Sequence, residues 1–204
     1  MKTPRLLVLG TATILLAIGA IAQPAPGTKP APGTKPAPGT PPAGAPAKAK
    51  PYSAGDTKAY IEIADAIQFQ LKMSERLRGK YKEGAPDILA LAAKISKESI
   101  ELFTPGVDAA TAHGVEGKKI PQDMSKNDKA ALIKLGTIKD EKKWELAFFE
   151  HYAKESKKNA AEAEKAAKTV QDADLKAYAE KAAGVLKSQA DTIETKFQEV
   201  KKKK

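Results

Sequence analysis

Residues 144–170 read WELAFFEHYAKESKKNAAEAEKAAKTV, and a row of apolar and small side chains runs through them at alternating steps of three and four. The row consists of Leu146, Phe149, Ala153, Ser156, Ala160, Ala163, Ala167 and Val170. This spacing places the whole row on one face of an α-helix. Because most of these side chains are small, a second helix can approach that face closely. The stretch therefore predicts a long helix packed tightly against a neighbour.

Two helical patterns precede this stretch. Asp56 is a good N-cap residue, and apolar side chains then recur at helical spacing as far as the glycines at positions 79 and 84. Pro86 suits the first turn of a second helix, and the pair Pro105-Gly106 is expected to end it. From residue 107 to residue 123 the pattern weakens, which predicts an irregular loop.

A short helix and a final long helix complete the pattern. Ser125 and Asp128 have the spacing of a capping box, and Gly136 is a natural stop for the short helix that they open. The long helix of residues 144–170 is expected to start near Asp140, and Asp172 or Asp174 starts the last one. No stretch has convincing strand periodicity. The sequence therefore predicts an all-α fold, a bundle of four main helices with one additional short helix.

The beginning of the chain has a different character. Residues 1–22 combine a basic start, an apolar run and an A-x-A site, which is the pattern of a cleaved secretory signal peptide. Residues 23–55 are rich in Pro, Gly, Ala and Lys and nearly repeat PAPGTK three times, which predicts a disordered, semi-rigid linker. The chain has no cysteine, so disulfides are excluded. We expect an exported protein, in the periplasm or at the outer-membrane periphery, with no integral membrane span after cleavage.

The charge is strongly basic, with a formal net charge of +10. Lysines and glutamates alternate through the predicted bundle at residues 56–200, whereas the tail Lys201–Lys204 has no compensating carboxylates. Such a tail either complements the dipole of the last helix or contacts an anionic surface. We expect the partner to be an anionic envelope polymer or a membrane surface. Nucleic acid is not expected, because no aromatic residues are interleaved with the basic ones.

Part of the sequence is similar to a known family. Ile120-Pro121, Ser125–Leu135, Trp144–Phe149 and Asp174–Ala179 resemble the exported bacterial domain-of-unknown-function family labelled "predicted outer membrane protein". The resemblance implies a ferritin-like helical bundle and supplies no activity. Family members commonly have an Asp-His pair in the second helix and another in the third long helix. Here those positions read Lys97-Glu98 and His151-Tyr152.

A ferritin-like bundle raises the hypothesis of a metal site. The di-iron pattern needs Glu-x-x-His on two helices, and neither His113 nor His151 follows a Glu at that spacing. The remaining candidates for a mononuclear site are His151, Glu155 and Glu98. The alternative is a partly buried His151 satisfied by a neighbour. We therefore predict no metal and no cofactor, and we keep these three residues as candidates.

No catalytic motif is present in the sequence, which predicts a protein that is not an enzyme. Trp144, Phe148 and Tyr152 lie close together on one helix, where they form either core or a small-molecule pocket. The leading hypothesis is a non-enzymatic envelope protein that binds anionic components through its basic, flexible ends. The alternatives are a metal-binding or oxidative-stress protein and a small-molecule or lipid carrier.

Overall fold

The computed structural model describes residues 49–82 and 84–203. The predicted signal peptide, residues 23–48 of the predicted linker and Lys204 lie outside the described residues. The described chain forms five α-helices, and its only other regular element is a short 3₁₀ turn at Gly117–Lys119. The helices are α1 (Ala54–Tyr81), α2 (Pro86–Ala112), α3 (Lys126–Gly136), α4 (Glu141–Thr169) and α5 (Ala173–Lys202). The all-α prediction is confirmed, since the described residues contain no strand.

The four long helices form two hairpins, α1–α2 and α4–α5. Tyr81 at the end of α1 packs against Trp144 at the start of α4, with ring centroids 6.2 Å apart, so these two helices are antiparallel. The connection from α2 to α4 contains α3 and runs the length of the bundle. Two hairpins joined by one long crossover are the topology of ferritin-like bundles.

The bundle has two ends, to which we give names. The proximal end contains the start of α1, the end of α2 and the turn between α4 and α5. The distal end contains the end of α1, the starts of α2 and α4, and the last turns of α5. Since α1 has 28 residues at about 1.5 Å per residue, the two ends are about 42 Å apart.

The predicted row on α4 faces inward. Seven of its eight members are buried, and Leu146 is half-buried. The alanines of the row let neighbouring helices approach, and α4 shares its most extensive interface with α5. The predicted burial of this row against a neighbouring helix is thus confirmed.

Helix α1 begins earlier than predicted. Its N-cap is Ser53, whose hydroxyl oxygen accepts a hydrogen bond from the N–H of Asp56 at 3.0 Å. Asp56 lies inside the first turn, where its Oδ1 accepts a hydrogen bond from the N–H of Gln171 at 2.8 Å. Burial alone would raise the pKa of Asp56, but the hydrogen bonds from Gln171 and Ser53 outweigh it and hold the pKa below its usual value. Asp56 therefore joins α1 to the α4–α5 turn.

Residues 50–53 of the predicted linker pack against the bundle, which corrects the boundary expected at residue 55. The ring of Tyr52 stacks on His113 with centroids 4.2 Å apart, and the N–H of Tyr52 donates to the carbonyl of His113 at 3.1 Å. The Nδ1 of His113 lies 2.7 Å from the carbonyl oxygen of Lys50. Tyr52 has an aromatic ring to bury, which the proline-rich stretch before it lacks.

The prediction that Pro105-Gly106 ends α2 is wrong. The helix continues through Pro105 as far as Ala112. Proline cannot donate to the preceding turn, but the following turn buries Gly106 and Ala110 in the core. The burial of this last turn compensates for the missing hydrogen bond.

Candidate functional site

Exposed cationic side chains are concentrated at the distal end of the bundle. They come from the end of α1, the end of α3, the start of α4 and the end of α5, segments that the fold brings together. We call them the distal cations: Arg76, Arg78, Lys80, Lys82, Lys134, Lys139, Lys142, Lys143, Lys201, Lys202 and Lys203.

The distal cations have no close carboxylate partners. None of them lies within 4.0 Å of a carboxylate among the residues that the structure describes. Three nearby acidic groups have other partners: Glu75 pairs with Lys72, while Asp87 and Glu199 both pair with Lys196. Asp140 and Glu141 lie between Lys139 and Lys142 in the sequence and form no ion pair in the described part of the chain. The hydrogen bond from Lys196 lowers the pKa of Asp87, which keeps that carboxylate charged and paired. The distal end therefore presents a positive face to the solvent.

The predicted lysine tail belongs to this face. Lys201 and Lys202 lie in the last turn of α5, and Lys203 is its C-cap. The Nζ of Lys201 is 6.0 Å from the centre of the Phe197 ring. The first part of the tail is thus an extension of the helix, which positions its charges beside those of α1 and α4.

An open groove of about 790 Å³ lies on the side of the bundle at the distal end. It is bounded by the last turns of α1, by α3 and by Trp144. At its edge, the Nζ of Lys80 lies 5.2 Å from the centre of the Trp144 indole ring, within the range of a cation–π contact.

The three aromatic residues proposed for a pocket have different positions. Trp144 is 5% exposed and lines the groove. Phe148 and Tyr152 are completely buried, with Phe148 stacked on Trp144 at a centroid distance of 4.8 Å. Burial raises the pKa of Tyr152 above its usual range, so its hydroxyl stays neutral. Of the predicted pocket, only Trp144 lies at a surface groove, and the other two residues are core.

The metal candidates do not come together. His151 on α4 faces Asp128 on α3, with Nε2 and Oδ1 3.9 Å apart, which is too long for a hydrogen bond. Glu98 on α2 instead accepts a hydrogen bond from Gln189 on α5 at 3.2 Å, and Glu155 lies 3.8 Å from Lys158. Within residues 49–82 and 84–203, no group of three His, Asp or Glu side chains is arranged to hold a metal ion.

The sequence pattern of DUF4142, a domain of unknown function, matches residues 41–195, which is more than half of the chain. The chain belongs to this family. No curated protein and no solved structure matches it. The expected resemblance to an uncharacterised domain family is confirmed, while the outer-membrane label is not part of the family's description.

Sequence reasoning missed a buried polar layer in the middle of the DUF4142 bundle. The Nε2 of Gln70 on α1 donates to Ser156 on α4 at 3.0 Å, and the Nε2 of Gln189 on α5 lies 3.3 Å from Ser99 on α2. All four residues are at most 2% exposed. Neutral amides and hydroxyls form this inward layer, whereas the metal sites of di-iron bundles are built from inward carboxylates and histidines. A signal exists in the sequence, since Ser156 interrupts the apolar row of α4.

The DUF4142 helices are amphipathic along their length. None of the helices in the described part of the chain is both long and apolar enough to cross a bilayer.

Proposed function

We propose that this DUF4142 protein is an exported, non-enzymatic adhesion protein of the bacterial cell envelope, located in the periplasm or at the outer-membrane periphery. Its distal cations hold the bundle against an anionic envelope polymer or membrane surface. The signal-peptide pattern of residues 1–22 supports export, and the lack of a catalytic motif supports a binding role.

The main support for this proposal is the group of distal cations. A single exposed lysine gains little from one counter-charge, but each Lys or Arg near an anionic membrane surface contributes about 1 kcal/mol. Eleven such groups at one end of the bundle act together, and none of them forms an ion pair within the described residues. The attraction falls off over a Debye length of about 8 Å at physiological ionic strength, so it acts at close range and weakens with salt.

The position of the cations along α1 supports binding through one end of the bundle. The chain enters α1 at the proximal end, next to the Tyr52–His113 stack, and the cations lie at the other end of the helix. Residue 49, where the described chain begins, therefore belongs to the end opposite the proposed binding face.

Co-sedimentation of the full chain with purified envelope fractions tests the proposal. We expect binding at low salt, release in molar salt, and weaker binding when Lys201–Lys204 are deleted. Binding that persists in molar salt would contradict the electrostatic mechanism. Binding that is indifferent to the deletion and to replacement of the other distal cations by Gln would exclude the distal face.

A further inference from the structure

The groove beside Trp144 has the size and lining of a ligand site. Its volume of about 790 Å³ lies within the roughly 300–1,000 Å³ typical of small-molecule sites. Its described lining combines apolar side chains with four cations and two carboxylates, Glu75 and Asp123, so the balance of charge is positive. This combination suits a ligand that has both an apolar part and a negative charge.

The apolar wall comes from α3 and the start of α4. Leu132, Ile133 and Ile138 line the groove together with Trp144. Ile133 is 72% exposed, so its side chain is open to a ligand in the groove. None of the residues of α3 is buried, so this helix acts as a wall beside the bundle rather than as part of its core.

The charged rim has two cations with carboxylate partners and two without. Lys72 pairs with Glu75 at 3.0 Å, and Lys129 pairs with Asp123 at 2.7 Å. Arg76 and Lys80 have no carboxylate within 4.0 Å among the described residues, although both line the groove. A guanidinium group binds a carboxylate through two parallel hydrogen bonds, so Arg76 is well suited to an acidic headgroup.

We propose that the groove binds one fatty-acid anion from solution. The carboxylate lies between Arg76 and Lys80, and the acyl chain follows Trp144, Leu132 and Ile133. Because exposed ion pairs contribute little, burial of the chain supplies most of the affinity and the cations select for the charge. This binding goes beyond adhesion, since it needs a dissolved single-chain lipid and no envelope surface.

Fluorescence of the full chain provides the test, because Trp144 is the only tryptophan. We expect dodecanoate, added below its micelle concentration, to change the emission of Trp144 saturably at one ligand per chain. Octanoate should bind at least about tenfold more weakly, because it has four methylene groups fewer to bury and each fully buried one contributes about 0.8 kcal/mol. Dodecanol, which has the same chain without the charge, should also bind about tenfold more weakly.

Gly79→Leu separates this proposal from adhesion. A Cβ atom at Gly79 has no neighbour within 4 Å outside the adjacent helix backbone, and Gly79 lines the groove, so a leucine there takes up groove space without changing the charge. We expect at least a tenfold loss of dodecanoate affinity with unchanged binding to envelope fractions. Gly184→Leu is the matched control, since its Cβ on α5 also meets no atom within 4 Å, and it should bind dodecanoate normally.

Two results would overturn the proposal. One is dodecanoate binding that Gly79→Leu leaves intact. The other is a dimer of the free protein that Gly79→Leu abolishes in analytical ultracentrifugation, since a second copy of the chain would then cover the groove.

The double variant Arg76→Gln and Lys80→Gln should bind dodecanoate and dodecanol equally, and a retained preference for dodecanoate would exclude these two cations as the headgroup site.

Discussion

The ring of Tyr178 on α5 lies directly against the backbone of Gly106 on α2. A Cβ atom at position 106 would stand 2.6 Å from the Cζ of Tyr178, closer than real Cβ contacts come. Glycine at this position therefore lets the two helices meet. The contact also explains why α2 continues past Pro105, since the turn that follows is fixed by Tyr178.

Gly106→Ala is expected to destabilise the protein by about 1–3 kcal/mol, because Tyr178 has to move to accommodate the methyl group. Gly184→Ala is the control, since its Cβ meets no atom within 4 Å. That control should gain up to about 1 kcal/mol from the higher helix propensity of alanine. Urea unfolding measures both free energies. Equal stability of the two variants would show that Tyr178 does not pack on Gly106.

Asp56 should make stability depend on pH in the acid range. Its pKa is lowered in the folded protein, so its contribution is complete above the unfolded value near 3.8 and is lost as the pH falls through the folded value. Asp56→Asn should cost about 1 kcal/mol at pH 7, where the charged acceptor is lost, and progressively less below pH 4. Urea unfolding at pH 7, 5 and 3 tests this. A cost that stays constant across this range would contradict the role of the charge.

The buried pair Gln70–Ser156 should behave as a coupled unit. Ser156→Ala leaves the amide of Gln70 without its partner in the core and should cost about 1–3 kcal/mol. Gln70→Leu combined with Ser156→Ala should cost less than the sum of the two single changes, because no unpaired amide remains. A double-mutant cycle from urea unfolding gives the coupling energy. Strict additivity would mean that the two side chains do not interact.

The alanine row on α4 should not tolerate larger side chains. Ala163 is 1% exposed in a core cluster that includes side chains of α1 and α5, so Ala163→Leu should overpack the core and cost about 1–3 kcal/mol. Ala161→Leu lies on the exposed face of the same helix and should change stability by less than about 0.5 kcal/mol. Thermal unfolding of the two variants distinguishes them. Comparable melting temperatures would show that α5 does not approach this row closely.

The fold was predictable because its signals are local. Three of these signals were confirmed, and each lies within a few helical turns of sequence. They are the apolar row from Leu146 to Val170, the capping box at Ser125 and Asp128, and the helix end at Gly136. The prediction at Pro105 was wrong because the helical turn after it packs against Tyr178, which lies more than seventy residues away in the sequence. The order at residues 50–53 was missed for a similar reason, since it depends on His113.

The candidate site was less predictable than the fold. The lysines at 201–204 were recognisable in the sequence, but Arg76, Lys80 and Lys142 lie in segments with ordinary charge patterns. These three side chains lie close together only because the end of α1 and the start of α4 are at the same end of the bundle. Glu98 on α2 and His151 on α4 do not come together because these two helices lie diagonally across the bundle.

Vesicle binding by two variants of equal charge tests the adhesion proposal most directly. One variant changes Lys139, Lys142, Lys201 and Lys202 at the distal end to Gln, and the other changes Lys165, Lys168, Lys176 and Lys181 near the proximal end to Gln. The binding constant for phosphatidylglycerol vesicles is measured over a range of salt concentrations. We expect the distal variant to bind at least about tenfold more weakly, with a shallower salt dependence, and the proximal variant to bind as the unmodified chain does. Equal losses in the two variants would show that net charge alone drives binding and would contradict a distal binding face.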